Sequence, residues 1–251
     1  MQTSVEQAAG SPLFPVFSYG QMLDETGKSE NDSRVIYPER DGKPMGETQF
    51  HITAIMHLYQ SLEHFFRHHP DVYISADMLM YYEKGNPKAV RVPDVMVVKG
   101  VEKHMRRIFK VWEEKSGPCV IFEITSKSTA AEDMIKSCLY SSLGVREYFL
   151  FDPLREYLED SPLGFRLDGI MYSPIPREED GSLFSKELGL SLKREEHLLR
   201  LHDPETGQPV PSLEEAVSMA EEEAARAEKE TRKAARFAAK LREMGIDPES
   251  V

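Results

Sequence analysis

The chain has 251 residues and a net charge of −12, with 31 Lys and Arg against 43 Asp and Glu, which excludes a protein that coats nucleic acid through bulk positive charge. Cys119 and Cys138, its two cysteines, stand in apolar patterns without CxxC spacing, which argues against a disulfide framework or a structural zinc site. Apolar runs such as Pro118–Phe122 are too short for a membrane span, and the polar first residues lack a secretory layout, so a cytoplasmic protein is expected.

Residues 1–46 are rich in turn formers, among them Ser11-Pro12, Asn31-Asp32-Ser33 and Asp41-Gly42, and read as an irregular arm. From Glu47 the pattern becomes helical. Ile52, Ile55, Met56, Tyr59, Leu62 and Phe66 recur at three- and four-residue steps, and the helix should stop before Pro70. His64 and His68 lie four apart on its polar face and read as solvated. Asp71–Ala76 opens an extended run reaching Tyr82, Gly85-Asn86-Pro87 supplies a turn, and Val92–Val98 reads as a buried strand. A basic stretch at 99–115 follows, in which six Lys and Arg outnumber three Glu; it lies between two apolar strands and is a candidate for DNA contact.

Cys119–Thr125 is the most apolar strand. Thr129-x-x-Glu132 predicts a capping box for a helix to about Leu143, with Gly144 as its C-terminal cap. Glu147–Pro153 reads as a strand ending in a turn, and 156–203 as short β pieces separated by Pro and Gly. From Ser212 to Met244 the composition turns to Ala, Glu, Lys and Arg, and Leu213, Val217, Ala220, Ala224 and Ala227 begin a four–three spacing. A long helix is predicted there, compatible with a coiled coil. The expected organisation is an arm (1–46), a core (47–155), a β-rich extension (156–211) and a C-terminal helix (212–251). The core order of helix, three strands, helix and strand predicts an α/β fold, a mixed central sheet with helices on both faces.

Three charged residues fall where an apolar core should not want them. Asp94 follows Pro93 at the start of one strand, Glu123 sits inside the most apolar strand, and Lys136 lies on the helix after it. A carboxylate among apolar neighbours is costly unless paired, hydrogen-bonded or bound to metal. Two such carboxylates on neighbouring strands make a hard-oxygen site suited to Mg2+ or Mn2+. Read from these residues alone, Glu123 with Lys136 is equally well a buried ion pair.

Pro93-Asp94, about thirty residues, then Glu123 on an αβββαβ frame resembles the PD-(D/E)xK nuclease superfamily. The run Phe122–Thr129, then Glu132-Asp133, Lys136, Tyr140 and Gly144–Pro153, is similar to the Uma-two restriction endonuclease family of bacteria. So are Glu47-x-x-x-His51, Tyr81–Pro87 and the ending at Leu241–Pro248. The resemblance is strong over roughly 45–155. It implies a restriction-endonuclease-like fold and a metal-dependent endonuclease acting on DNA, with Asp94 and Glu123 as ligands to Mg2+ or Mn2+. The superfamily's lysine normally stands two residues after the glutamate, where this chain has Thr125. Lys136 fills the family's lysine position, with Lys127 as the rival. Glu47 resembles the acidic residue that often completes such sites, and His51 projects one turn later.

A two-fold pair of sites cuts both strands of a duplex most readily, so a homodimer is expected. RNA as substrate is equally compatible with the site chemistry. A reading from a different class is a non-catalytic, nuclease-fold scaffold acting through its C-terminal helix.

Overall fold

The computed structural model describes residues 35–39, 48–126, 130–244 and 247. Thr129 and all of the arm at 1–46 except 35–39 lie outside them. The chain runs α1 (Gln49–Phe65), β1 (Val72–Ala76), β2 (Met80–Tyr81), β3 (Val90–Arg91), β4 (Val95–Lys99), β5 (Phe109–Lys110), β6 (Val120–Ile124), α2 (Ala130–Ser142) and β7 (Glu147–Phe151). It continues through β8 (Leu163–Asp168), β9 (Met171–Pro174), β10 (Leu183–Ser185), β11 (Leu190–Glu195) and β12 (Leu198–His202) to α3 (Leu213–Glu243).

The six-stranded central sheet has the order β1-β4-β6-β7-β8-β9. It is antiparallel throughout except for β6 and β7. A parallel neighbour cannot be reached by a hairpin, and α2 is the crossover that joins them. With the short strands set aside, α1, β1, β4, β6, α2 and β7 follow the expected αβββαβ order.

Strand alternation divides the sheet's two faces. Val120, Phe122 and Ile124 of β6 pack with Leu58 and Leu62 of α1, together with Leu192 and Leu201 of the separate β10-β11-β12 sheet. Ile121 packs instead with Met96, Tyr140 and Tyr148. Glu123, two residues beyond Ile121, therefore belongs to the face that α2 covers.

Three expectations are corrected. The extended run from Asp71 to Tyr82 breaks at Asp77, which turns left-handed (φ +48°) and donates its N–H to the Asp94 carbonyl at 3.2 Å. Met80–Tyr81 then joins a small sheet of order β3-β2-β5. The strand expected from Val92 pairs with the central sheet only from Val95, because Pro93 has no N–H for a ladder. The buried stripe of α1 is Ala54, Ile55, Leu58, Ser61 and Leu62, whereas Ile52 and Met56 are exposed. The sheet and β12 close on a face centred at Leu58, which helical spacing alone does not select.

Ser212 caps α3 through a reciprocal capping box with Glu215, and none of the helix's 31 residues is buried. Among the described residues no helix is long and apolar enough to cross a membrane.

Candidate active site

Register assembles the site. Val95 lies opposite Phe122, so Asp94, just before β4 begins, stands beside Glu123 on the neighbouring strand. Asp94 Oδ2 accepts the Ile124 N–H at 2.5 Å. Its Oδ1 lies 3.7 Å from His51 Nε2, which brings the start of α1 to the same place. Thr48 caps that helix by accepting the His51 N–H, and this fixes where the imidazole emerges.

Glu123 is only 1% exposed, and both its oxygens are engaged from α2. Lys136 Nζ donates to Oε2 at 2.7 Å, and the Tyr140 hydroxyl donates to Oε1 at 2.6 Å. Lys136 and Tyr140 reach one carboxylate because residues four apart share a helix face. Asp133, one turn before, accepts the Thr125 hydroxyl at 2.5 Å through Oδ2, while its buried Oδ1 has no hydrogen-bond partner.

The electrostatics follow from crowding. Burial pushes the Glu123 acid up, to about 8, and the neighbouring Asp94 charge adds to this; Lys136 and Tyr140 oppose it without overcoming it. Burial likewise raises the Asp133 acid, and Asp94 adds to the rise. Burial alone would lower the Lys136 amine, but Glu123 outweighs it and the amine is raised. Two adjacent carboxylates, Glu123 buried and Asp94 partly so, with one ammonium hydrogen-bonded to Glu123, leave the site short of positive charge. Asp94 and Glu123 are therefore the pair that could hold a hard cation. Among the described residues no three His, Cys, Asp or Glu side chains are placed to bind one ion together.

A cleft of about 640 Å³ opens beside Lys136, with Glu132 and Ile135 of α2 on one side and Tyr81, Lys88 and Arg91 on the other. Neither Lys88 nor Arg91 pairs with a carboxylate among the described residues; Arg91 donates only to the Val90 carbonyl. The basic stretch at 99–115 behaves differently. Lys103 pairs with Glu63, Arg106 with Glu114, Arg107 with Glu39 and Lys110 with Glu113. Arg106 also lies over the Tyr73 ring at 4.2 Å. Most of the charge that marked this stretch for DNA contact is thus neutralised within the fold.

Of the six sequence candidates, the structure brings together Asp94, Glu123, Lys136 and His51, while Glu47 and Lys127 lie outside the described residues. Sequence reasoning missed Lys88, in the turn before β3, and Arg91, at the end of β3, which carry no pattern of their own. Asp133 entered only within the family resemblance and without a role; its three- and seven-residue spacing to Lys136 and Tyr140, which puts all three on one helix face, was the available signal.

No protein among the curated ones compared matches the chain. A solved structure of "a putative nuclease belonging to DUF820" from Anabaena variabilis is similar over 58% of this chain and 76% of that one, at 16% identity and a TM-score of 0.44. The family model Uma2, described as "Putative restriction endonuclease", matches residues 21–200. The match spans most of the sequence, and the chain belongs to the Uma2 family.

Proposed function

We propose that this protein is a Mg2+-dependent endonuclease hydrolysing DNA phosphodiester bonds, with Asp94 and Glu123 as metal ligands and Lys136 assisting the attacking water. The observation that carries the reading is two carboxylates side by side, Glu123 buried and Asp94 partly buried, with Lys136 Nζ 2.7 Å from Glu123, at the edge of a cleft whose Lys88 and Arg91 pair with no carboxylate among the described residues. Membership of the Uma2 family supports nuclease chemistry.

The donor set suits the ion. Mg2+ is commonly held by one or two carboxylates with water and phosphate completing its shell, and a carboxyl pushed up by burial beside Asp94 lacks the positive charge an ion would add. Mn2+ fits the same oxygens. When bound, such an ion lowers the pKa of a water and offsets charge on a phosphate oxygen.

The chain's own residues do the positioning. The Tyr140 hydroxyl and the Lys136 ammonium fix the Glu123 carboxylate in one orientation. The Ile124 N–H does the same for Asp94, leaving Oδ1 toward His51. Lys136 has N–H donors beyond the one given to Glu123 and would use them on the attacking water or on developing charge at phosphorus. Lys88 and Arg91 would hold the backbone phosphates, contacts that position a strand without reading its sequence.

Plasmid nicking with Mg2+ tests the reading: wild type should relax supercoiled DNA and Glu123→Ala should not. Equal, background-level nicking by both would defeat it. Parallel incubation with RNA decides between the sugars. A second reading, a nuclease-fold scaffold acting through α3, draws on the helix's lack of any buried residue, and the same assay separates the two.

A further inference from the structure

We infer that Asp133 is a positioning residue for Lys136: its unpartnered oxygen is the acceptor that takes the Lys136 ammonium when an ion occupies Glu123. The inference rests on the proposed reading of Asp94 and Glu123 as metal ligands.

Asp133 presents an acceptor with nothing to accept. It is 3% exposed, and its buried Oδ1 has no hydrogen-bond partner among the described residues. A buried polar atom left in this way is costly, and in a folded protein it calls for a reason. Turning the side chain out to water would break the hydrogen bond that the Thr125 hydroxyl donates to Oδ2 at 2.5 Å. Thr125 directly follows β6, so Asp133 is pinned to the strand that carries Glu123.

Lys136 is a donor within reach. It stands three residues after Asp133, a spacing at which helical ion pairs form. Each charge favours the ionised form of the other, although burial is the larger influence on both. The Lys136 ammonium is given to Glu123 Oε2 at 2.7 Å.

An ion at Glu123 changes that balance. The Tyr140 hydroxyl on Oε1 is neutral and can stay, but an ammonium and a divalent cation on one carboxylate repel at close range. Moved to Asp133 Oδ1, the ammonium satisfies the buried acceptor, frees Oε2 and keeps two N–H donors for the site. Glu132, four residues before Lys136, is the rival acceptor. It is exposed and lines the cleft, where water already serves it and an ion pair gains little. The Tyr148 hydroxyl is the rival donor, since it too is buried without a partner, yet it carries no charge for an ion to displace.

Mn2+ binding by titration calorimetry on the full chain, arranged as a double-mutant cycle, forms the test. Wild type should bind Mn2+, and Asp133→Asn should weaken binding about tenfold, the scale of losing an outer-sphere partner. In a Lys136→Met background the same substitution should change binding little, because the group it acts through is gone. Glu132→Gln should show no such coupling to Lys136. An Asp133→Asn effect that persists without Lys136 would mean a direct or structural action and would overturn the inference, as would coupling of Lys136 to Glu132 instead. A crystal structure of the wild type with Mn2+ gives the direct view: Lys136 Nζ should lie about 3 Å from Asp133 Oδ1. Lys136 still on Glu123 with the ion bound, or Oδ1 taken by Tyr148, would equally sink it. A wild type that binds no Mn2+ would instead defeat the metal reading itself, and the inference with it.

Discussion

Two glutamates in neighbouring strands are equally buried and differ in everything else. Glu123 in β6 and Glu147 in β7 are each 1% exposed. Glu147 is closed on all sides: Arg166 Nε and the Lys186 N–H donate to Oε1 at 3.0 Å, and the Ser185 hydroxyl and the Glu187 N–H donate to Oε2. It ties β7 to β8 and to the turn after β10, and it does not line the cleft. Glu123 has one ammonium and one hydroxyl, a second carboxylate beside it, and a neighbouring lysine that lines the cleft. Burial therefore does not mark a functional acid. A carboxylate surrounded by donors is a structural joint; one that shares its single cation with another carboxylate has capacity left for chemistry.

Substituting each by glutamine breaks or sharpens this contrast most directly. Glu123→Gln should lower Mg2+-dependent nicking by at least about 100-fold, the scale of losing a transition-state charge contact, with a small change in Tm. The Tyr140 hydroxyl can turn to accept from the new amide, and Lys136, 17% exposed at its side chain, reaches water. Comparable activity in this variant would remove Glu123 from the chemistry. Glu147→Gln should do the reverse. Its amide NH2 must face either the Arg166 and Lys186 N–H donors or the Glu187 N–H and a Ser185 hydroxyl that already accepts the Leu188 N–H, at a cost of about 3 kcal/mol in urea unfolding, while the rate of the remaining folded protein holds. A loss of rate at unchanged stability would erase the distinction.

Smaller effects are expected where charges bind rather than react. Lys88→Ala with Arg91→Ala should raise KM about tenfold at unchanged kcat and reduce the slope of log affinity against log salt by about 2. An unchanged slope would move the phosphate contacts elsewhere. The smallest effect belongs to a half-buried charge cluster on α1 and β12. His57 meets Arg200 Nη1 at 3.1 Å, and burial, then the Arg200 charge, holds its imidazole below the ordinary value. As pH falls through about 6.5 the unfolded histidine takes up a proton before the folded one does, so stability declines with falling pH in that window. His57→Gln should flatten that part of the decline, read as the difference in urea midpoints between about pH 7.5 and about pH 5.5. Identical pH dependence in both proteins would deny the cluster this role.

Much of the fold was legible in the chain, for local reasons. The shift to Ala, Glu, Lys and Arg at Ser212 marked α3, and the structure begins the helix there with a capping box between Ser212 and Glu215. Gly144 announces the end of α2 because its φ of +75° suits glycine best. The charged residues Asp94, Glu123 and Lys136 stood out against apolar neighbours, and the family resemblance ordered them. The α1 stripe was misread because Ile52 and Met56 fit helical spacing as well as Leu58 does, and only the packing of the sheet and β12 chooses between them.

By itself, then, the sequence determined which segments are helix and strand in the core, and which three charges the core must accommodate. These depend on steps of two to four residues, a range over which periodicity and capping act. The tertiary structure alone decided that Val95 pairs with Phe122 and so sets Asp94 beside Glu123, and that Glu147 is closed off while Glu123 is not. It also decided that the basic stretch is neutralised from within while Lys88 and Arg91 are left to the cleft. Whether a charge is spent on the fold or available to a ligand depends on partners tens of residues away, brought near by strand register and loop closure, and no local pattern carries that information.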